Sequence, residues 1–374
     1  MTVNNDNYRN EQAVRVVFTG GGSGGPTIPL LALAEEIKLH KKKSKFLFLG
    51  SKDGPERKMV EQAMIPFAAI PSGKLRRYWS WSNLIDPFII IAGFFAGLLH
   101  LKRFRPHIIV SAGSFVSVPV AFAAKLSGIP HVIFQMDVRP GLANRLMAPV
   151  SSALVYYFES TAAKFPSISV KQKIGPVVRK DIYNAEAVRA EKKIGLHPEL
   201  PLILITGGGQ GAAGLNNAVL PLLKDWLTEF QIVHLTGFGW EKNIEAELSC
   251  YSHPNYHQFK TVTEGMGDLL AKSEIVLTRA GMGILAELAV LQKDAILVPL
   301  PGTHQEENAR LIQKKNAAEV VQQDILAAKG LEWWKIYWKQ RIPGEIGKKL
   351  REFLQGNGTK DFAQLIFAIT DDCK

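Results

Sequence analysis

Two segments of the sequence combine backbone donors, a carboxylate and side-chain amides at regular spacing. The first, TRAGMGILAE (residues 278–287), is a glycine turn after a predicted strand, and it opens a helix that carries Glu287. The second, PLPGTHQEENA (residues 299–309), brings Gln305 and Asn308 after the next strand. A helix N-terminus favours a diphosphate, a carboxylate can accept both hydroxyls of a ribose, and amides can bond sugar hydroxyls. Together the segments predict a nucleotide-sugar pocket, whereas Glu287 taken alone would be an ordinary exposed helix residue.

Two similar glycine-rich turns lie upstream. FTGGGSGG ends at residue 25 and ITGGGQGA at residue 212, and each follows an apolar run and precedes a helical pattern. Such turns let a ligand approach the backbone. A nicotinamide dinucleotide site would also need an acidic residue at the end of the second strand, and Asp53 comes too late for that. For the first turn, the alternative interpretation as a tight turn that binds no ligand stays open. In the second, Gln210 could donate to a phosphate or sugar oxygen, or simply begin a helix.

Alternating strand and helix patterns must position these segments. Short apolar runs predict parallel strands buried on both faces, at residues 14–19, 46–49, 108–111, 131–134, 154–157, 202–206, 232–235, 275–277 and 295–298. Helical spacing marks residues 29–39. Because the pattern restarts in the second half, the sequence predicts an α/β fold of two facing, doubly wound Rossmann-like domains. We place these domains at residues 13–180 and 181–356.

The length, charge and cysteine content of the chain favour some cellular compartments and binding partners over others. A chain of 374 residues is long enough for two domains with separate cores. The net charge of +11 favours an anionic partner, but no RNA-binding aromatic signature, zinc-ligand spacing or heptad zipper accompanies it, so we expect no nucleic-acid partner. Two cysteines far apart in sequence indicate a reducing cytosol, and the polar N-terminus lacks the apolar core of a signal peptide.

A cation-flanked apolar segment is a candidate membrane contact. The apolar run over residues 87–99 is thirteen residues long, which is short for a membrane span of roughly 20 residues. Lysines and arginines flank it on both sides, as is typical of an interfacial helix on anionic lipid. The patch we predict consists of Trp79, Trp81, Leu84, Ile85 and Phe88. The alternative is a core helix between two strands.

In these motifs the chain resembles the MurG family. These are GT-B-fold transferases that move N-acetylglucosamine from UDP-N-acetylglucosamine to the lipid-linked muramyl-pentapeptide precursor of peptidoglycan. The resemblance covers residues 14–321 and rests on TGGGSGGPTIPLLALAEEI, SAGSFVSVP, PGLANRL, IGPVVRKDI, TGGGQGAAGLN, TRAGMGILAEL and PLPGTHQEENA. It implies an inverting transfer to a polyprenyl-diphosphate acceptor, without a metal or other cofactor, by a peripheral protein at the cytoplasmic face of the membrane. It also implies that the tail, residues 357–374, returns to the first domain.

The resemblance assigns donor-side roles residue by residue. Glu287 matches the ribose-binding glutamate, Gln305 a glutamine on the donor sugar, and Arg179 an arginine near the diphosphate. The other donor-binding positions that it implies are Gly209, Gln210, Thr263, Met266, Met282, Gly283, Ile284 and Asn308. Of these, Thr263 and Met266 match the segment under the uracil. Gly209 stands where the family has a serine, so a hydroxyl is absent here. A helix dipole and a cation would stabilise the leaving diphosphate in place of a metal.

The acceptor side departs from the family pattern. The resemblance implies an acceptor diphosphate loop of Gly22, Ser23, Gly24, Gly25 and Ser114. Proline stands at residue 26, where the family has a histidine, and an aspartate at residue 137, where it has an asparagine.

An inverting transfer needs a base beside the acceptor hydroxyl, and proline cannot move a proton. Asp137 is therefore our candidate catalytic residue. Three alternatives stay open. Asp137 could be a turn residue before Arg139-Pro140-Gly141, the acceptor could be another glycolipid or polysaccharide precursor, or the chain could bind the donor without catalysis.

Overall fold

The computed structural model describes residues 13–22, 24–73, 82–209, 211–238, 253–262 and 264–372, without the side chains of residues 82–85, 329 and 372. The chain divides into two compact units. The first unit contains the residues up to Arg179 together with the chain from Gly356 onward, and the second unit is Lys180–Gln355.

The first unit is built on a seven-stranded parallel sheet. Its strands are β1 (Arg15–Thr19), β2 (Lys45–Gly50), β3 (Phe67–Ala69), β4 (Ile108–Ser111), β5 (His131–Gln135), β6 (Ala153–Tyr156) and β7 (Val170–Lys173). They lie in the order β3-β2-β1-β4-β5-β6-β7, so the order reverses between β1 and β4. There Thr19 lies beside Ser111. In such open sheets ligands bind at the carboxyl ends of the strands where the order reverses.

Helices connect these strands and cover the sheet. They are α1 (Gly24–His40), α2 (Glu56–Gln62), α3 (Ser82–Phe104), α4 (Ser117–Leu126), α5 (Leu142–Met147) and α6 (Glu159–Ala162). The second unit adds α7 (Lys180–Tyr183), α8 (Ala187–Ile194), α9 (Ala213–Trp226), α10 (Met266–Lys272), α11 (Met282–Leu291), α12 (His304–Gln313), α13 (Gln323–Gln340) and α14 (Glu345–Phe353). The last helix, α15 (Gly358–Asp372), belongs to the first unit.

The second unit repeats this topology with six parallel strands. They are β8 (Leu202–Thr206), β9 (Gln231–Leu235), β10 (Tyr256–Phe259), β11 (Ile275–Thr278), β12 (Ala295–Leu297) and β13 (Glu319–Val320), in the order β10-β9-β8-β11-β12-β13. The order reverses between β8 and β11, where Thr206 lies beside Thr278. Two doubly wound Rossmann-like units, as the sequence predicts, are therefore confirmed.

Burial explains which strands the sequence predicts and which it misses. The central strands β4, β5, β8 and β11 are buried at every residue, and each contains a continuous apolar run of three or four residues. The strands β3, β7, β10 and β13 are outer strands and are only partly buried. Sequences such as VKQK in β7 and YHQF in β10 have no apolar run, and no strand was predicted there.

The first helix starts earlier than its apolar spacing predicts. α1 begins at Gly24, directly after the first glycine turn, instead of at residue 29. Pro26 lies in its first turn, where a missing N–H costs nothing because no intrahelical acceptor exists there. Pro26 is therefore compatible with the start of α1. It also removes one backbone N–H from the N-terminal end of this helix, next to the glycine turn.

Each unit has its own apolar core. In the second unit the core joins the sheet to an aromatic cluster that includes Trp226 and Trp334, whose ring centroids are 4.6 Å apart. In the first unit the returning helix α15 buries Phe362 completely, with its ring 5.3 Å from that of Phe134 on β5. The tail is thus part of the first core and not a surface appendage.

Candidate active site

The carboxyl edge of the second sheet carries three turns side by side. The glycine turn follows β8, the TRAGMG segment follows the neighbouring β11, and the PGTHQEE segment follows β12. The first of these turns is tight, because Gly208 and Gly211 have φ angles of +87° and +83° and are joined by a 2.9 Å backbone hydrogen bond. Gly209 at its tip is exposed. Gln210 lies outside the described residues.

A buried polar network holds the start of α9, directly after the glycine turn, against β9 and β10. The Asn216 amide donates to the Thr236 carbonyl at 3.0 Å, and its Oδ1 lies 3.1 Å from Nε2 of His234. The other ring nitrogen of His234 lies 3.0 Å from the Tyr256 hydroxyl. Burial lowers the pKa of His234 to about 3, so the ring is neutral at physiological pH. With Nε2 protonated towards Asn216, Nδ1 accepts from Tyr256, and every member of the network has a partner.

The second turn opens α11 and suits an anion. Gly281 precedes the helix in an extended conformation, Met282 is buried, and Gly283 and Ile284 are half-buried. The first turn of α11 contains no acidic residue, so its backbone N–H groups and helix dipole favour negative charge. Glu287, further along the same helix, is only 8% exposed. The interpretation of Glu287 as an ordinary exposed helix residue is therefore wrong.

Arg279 and Asn308 brace this turn from behind. The buried Arg279 guanidinium donates to the carbonyls of Val298 and Pro299 at 3.0 and 3.3 Å and to Oε1 of Gln323 at 2.8 Å. It therefore ties the chain after β11 to the chain after β12. Asn308 is fully buried and donates from its amide to the Ala280 carbonyl at 3.1 Å.

The third turn leads into α12. Thr303 caps this helix, since its hydroxyl accepts from the Gln305 N–H at 3.3 Å and donates to the Leu300 carbonyl at 2.7 Å. The side-chain oxygen Oε1 of Gln305 accepts from the Leu300 N–H at 3.1 Å. The amide N–H groups of Gln305 are therefore its donors towards a ligand. Unlike α11, α12 has two glutamates, Glu306 and Glu307, in its first turn, which makes its N-terminus a poor site for a diphosphate.

The carboxyl edge of the first sheet carries the acceptor-side positions. Gly22, with φ of +82°, follows β1, Gly24 and Gly25 begin α1, and Ser114, with φ of +76°, follows β4. Hydrogen bonds from the Thr19 hydroxyl to that of Ser117, and from Ser117 to the Gly113 carbonyl, tie the ends of β1 and β4 together. Ser23 falls outside the description.

Asp137 lies in the turn after β5, the next strand of that sheet. Its carbonyl accepts from the Gln135 amide at 2.8 Å, and Gln135 in turn accepts from the Asn144 amide at 2.6 Å. The turn is therefore braced by buried amides while the Asp137 residue itself is half-buried. The role of Asp137 as a base stays a prediction.

The helix α3 has two different faces. Gly97 approaches α4 closely, and Leu101 is buried in the core. The opposite face leaves an exposed apolar stripe of Phe88, Ile91, Phe95 and Leu99, spaced three and four residues apart. Trp79 and Trp81 are outside the described residues, as are the side chains of Leu84 and Ile85 in the first turn.

The length and composition of α3 do not by themselves show whether it contacts a membrane. Its segment Asp86–Phe104 is long and apolar enough to cross a membrane by length and composition, although the thirteen-residue run in the sequence is shorter than a span needs. One face is packed in the core and the other is exposed, so α3 is not a fully buried core helix, and the membrane contact stays a prediction.

Comparison with known proteins decides the family. Residues 16–155 match the glycosyltransferase family 28 N-terminal domain, and residues 202–333 match its C-terminal domain. A UDP-N-acetylglucosamine–N-acetylmuramyl-(pentapeptide) pyrophosphoryl-undecaprenol N-acetylglucosamine transferase of Legionella pneumophila (strain Lens) is 34% identical over 317 residues, which cover 84% of this chain and 85% of that protein. The chain belongs to the MurG family of glycosyltransferases.

Other MurG family comparisons agree. A transferase of the same description from Geobacillus kaustophilus (strain HTA426) is 32% identical over 96% of this chain and 98% of its own length. The crystal structure of MurG from Acinetobacter baumannii has a TM-score of 0.70 at 23% identity, covering 95% of this chain and 99% of that one. The predicted GT-B fold class is confirmed.

Several residues that shape this MurG family site escaped the sequence-based selection. Arg279 connects the chain after β11 to the chain after β12, and Asn216 and His234 connect the start of α9 to β9; none of the three was among the predicted site residues. Arg279 and Asn216 lie inside quoted motifs, which was a usable signal, whereas His234 lies in an apolar strand without one. Of the predicted positions, Met266 begins α10 and Arg179 ends the first unit, while Thr263 is outside the described residues. The ligand contacts of these three, as of all the predicted site residues, stay predictions.

Proposed function

We propose that this chain transfers N-acetylglucosamine from UDP-N-acetylglucosamine to a polyprenyl-diphosphate-linked muramyl-pentapeptide, the reaction that names its relatives. One observation carries the proposal. A helix N-terminus free of acidic residues, the buried carboxylate of Glu287 and the amide of Gln305 follow adjacent strands at one edge of the second sheet. That set matches the diphosphate, ribose and hexose of a nucleotide sugar.

The donor roles follow from these chemistries. The N–H groups at the start of α11, with Met282, Gly283 and Ile284, receive the nucleotide diphosphate. Glu287 accepts the ribose hydroxyls, and Gln305 donates to a sugar oxygen. Asn308 acts on this site through the Ala280 carbonyl, because its amide is bonded there and the side chain is fully buried.

The remaining donor contacts come from the family resemblance. Arg179 supplies the cation for the leaving diphosphate, Gly209 and Gln210 approach it from the glycine turn, and Thr263 and Met266 lie under the uracil. These roles extend the proposed donor site.

The transfer is a single displacement with inversion. An acceptor hydroxyl oxygen forms a bond to the anomeric carbon while the bond from that carbon to the UDP oxygen breaks. The hydroxyl proton passes to a base, for which Asp137 is our candidate, and the charge left on UDP is stabilised by the start of α11. Gly22, Ser23, Gly24, Gly25 and Ser114 form the loop that receives the acceptor diphosphate.

Glu287→Gln tests the donor site. The amide keeps one acceptor oxygen but loses the charge, so we expect about tenfold weaker binding of UDP in calorimetry. Glu332→Gln, at an exposed position on α13, is the matched control and should bind as the wild type does. Equal affinities for the wild type and Glu287→Gln would contradict the ribose assignment.

Asp137→Asn tests the base. If Asp137 takes the proton, the variant transfers sugar at least about a hundredfold more slowly, while its affinity for UDP is unchanged. Unchanged transfer would remove Asp137 from the mechanism. Transfer by the wild type to another lipid-linked acceptor, but not to the muramyl-pentapeptide, would replace the proposed acceptor.

We further propose that α3 docks on the cytoplasmic face of an anionic membrane as a peripheral contact. The predicted patch of Trp79, Trp81, Leu84, Ile85 and Phe88 directly precedes the exposed apolar stripe in sequence and shares Phe88 with it. Lys102 and Arg103 in the last turn of α3 supply cations beside it. An apolar face flanked by cations suits the interface of an acidic bilayer.

Vesicle sedimentation with phosphatidylglycerol–phosphatidylcholine liposomes tests this contact. The double substitution Phe95→Asp and Leu99→Asp should lower the bound fraction about tenfold or more, since each side chain loses its burial in lipid. Met64→Asp, at a 90% exposed position elsewhere in the first unit, is the control. Undiminished sedimentation of the double variant would exclude this face.

A further inference from the structure

A buried carboxylate lies directly beneath the first glycine turn and belongs to none of the predicted positions. Glu56, the first residue of α2, has no exposed surface. Its Oε2 accepts from the Gly22 N–H at 3.1 Å, and its Oε1 accepts from the Ser51 N–H at 2.9 Å and from the Ser51 hydroxyl. The carboxylate therefore joins the turn after β1 to the chain after β2.

The glycines around Glu56 fit this arrangement. A Cβ at Gly21 or at Gly54 would collide with the Glu56 carboxylate. Neither glycine has a positive φ, so neither is needed for backbone conformation. Space for the carboxylate is the physical reason for glycine at both positions, and it distinguishes them from Gly22, which has φ of +82° and open space around its Cα.

The contact also changes what the turn can offer to a ligand. In a glycine turn that binds phosphate, backbone N–H groups point at the anion. Here the Gly22 N–H is already taken by the Glu56 carboxylate. Among the described residues of this loop, the donors left for an acceptor diphosphate are therefore the N–H groups of Gly24 and Gly25 at the start of α1, since Pro26 has none.

We propose that Glu56 is a positioning residue, which holds the first glycine turn in the shape that presents the start of α1 to the acceptor diphosphate. The acceptor part of this inference rests on the proposed function. Glu56 itself does not touch the substrate, because it is buried behind the turn. Its effect should therefore fall on the acceptor and spare the donor, whose site lies on the second unit.

Glu56→Gln is the test variant, because glutamine has nearly the same shape. Its Oε1 can still accept from Ser51, but its amide nitrogen cannot accept from Gly22. We expect the acceptor KM to rise about tenfold while the KM for UDP-N-acetylglucosamine stays within twofold of the wild type. Ser51→Ala is the matched control, since it removes a bond to the same carboxylate on the side away from the turn, and its acceptor KM should stay within twofold.

A second variant approaches the same contact from the other side. Gly21→Ala must displace the carboxylate and should give the same selective rise in acceptor KM. Because both changes break one contact, the double variant Gly21→Ala/Glu56→Gln should be little worse than either single variant. Multiplicative effects in the double variant would show that the two residues act separately and would overturn the inference.

Hydrogen–deuterium exchange separates this inference from the proposed function. In Glu56→Gln, peptides that contain residues 20–22 should exchange at least about tenfold faster than in the wild type or in Ser51→Ala, with peptides of the second unit unchanged. Unchanged exchange in the turn overturns the positioning role, whatever the acceptor is. If Glu56→Gln exchanges faster but the wild type transfers no sugar to any lipid-linked acceptor, the turn contact is upheld and only the proposed function is refuted.

Discussion

The replacement Arg279→Met probes how far the donor site depends on a residue that need not touch the donor. Arg279 is 6% exposed, and its three hydrogen bonds reach two carbonyls after β12 and the side chain of Gln323 on α13. Methionine keeps the apolar stem but leaves those three acceptors without a donor. The variant should therefore lose both stability and the alignment of the two turns that carry Glu287 and Gln305.

The magnitude follows from these contacts. A hydrogen bond from a charged donor contributes roughly 1.5–3 kcal/mol, but the cost of burying the guanidinium offsets part of it. Burial also lowers the pKa of Arg279, which reports the same cost. With about 1 kcal/mol remaining per bond, the variant should lose about 3 kcal/mol of unfolding free energy. For a unit of this size that lowers Tm by about 6–12 °C.

Thermal unfolding by near-ultraviolet circular dichroism, together with UDP calorimetry, measures both effects. We expect the lower Tm and at least about tenfold weaker UDP binding at a temperature where the variant is folded. Arg310→Met, at an exposed position on α12, is the control and should match the wild type in both assays. Wild-type Tm and UDP affinity in Arg279→Met would refute the bracing role.

Three further predictions concern stability. Phe362→Ala should lower the unfolding free energy of the first unit by about 3–4 kcal/mol in urea titrations, because Phe362 is fully buried against Phe134. Burial lowers the pKa of His131 and of His234 from 6.5 to about 3, so below pH 6.5 the unfolded chain binds protons that the folded protein does not. The free energy of unfolding is therefore unaffected by these histidines above pH 6.5 and decreases as the pH falls towards 3. At pH 5 this loss is about 2 kcal/mol per histidine, and urea titrations of His131→Gln and His234→Gln should show a flatter pH dependence. Gly211→Ala should cost about 1–2 kcal/mol or more and weaken UDP binding, because Gly211 has φ of +83° and its Cβ would lie 2.6 Å from a carbonyl oxygen.

The sequence by itself determined the central strands, the repeated glycine turns and therefore the two doubly wound units. Strands such as β8 are buried at every residue because both faces are covered, and β8 is apolar up to its final threonine, so burial can be predicted from its sequence. The outer strands β7 and β10 have no continuous apolar run, because each has a neighbouring strand on one side only and is partly exposed to solvent. The motifs TRAGMG and GTHQEE also predicted which residues share one sheet edge, since the carboxyl ends of parallel strands lie together.

Only the tertiary structure decided what lies behind the turns. Glu56 contacts Gly22 34 positions away, Arg279 contacts residues 19–44 positions away, and His234 contacts residues 18 and 22 positions away. No spacing rule predicts such contacts. The structure also showed that Glu287 is buried and that Asn308 bonds a carbonyl of the turn. Periodicity reports which face of one element is apolar, whereas the partner of a buried polar group depends on how separate elements pack.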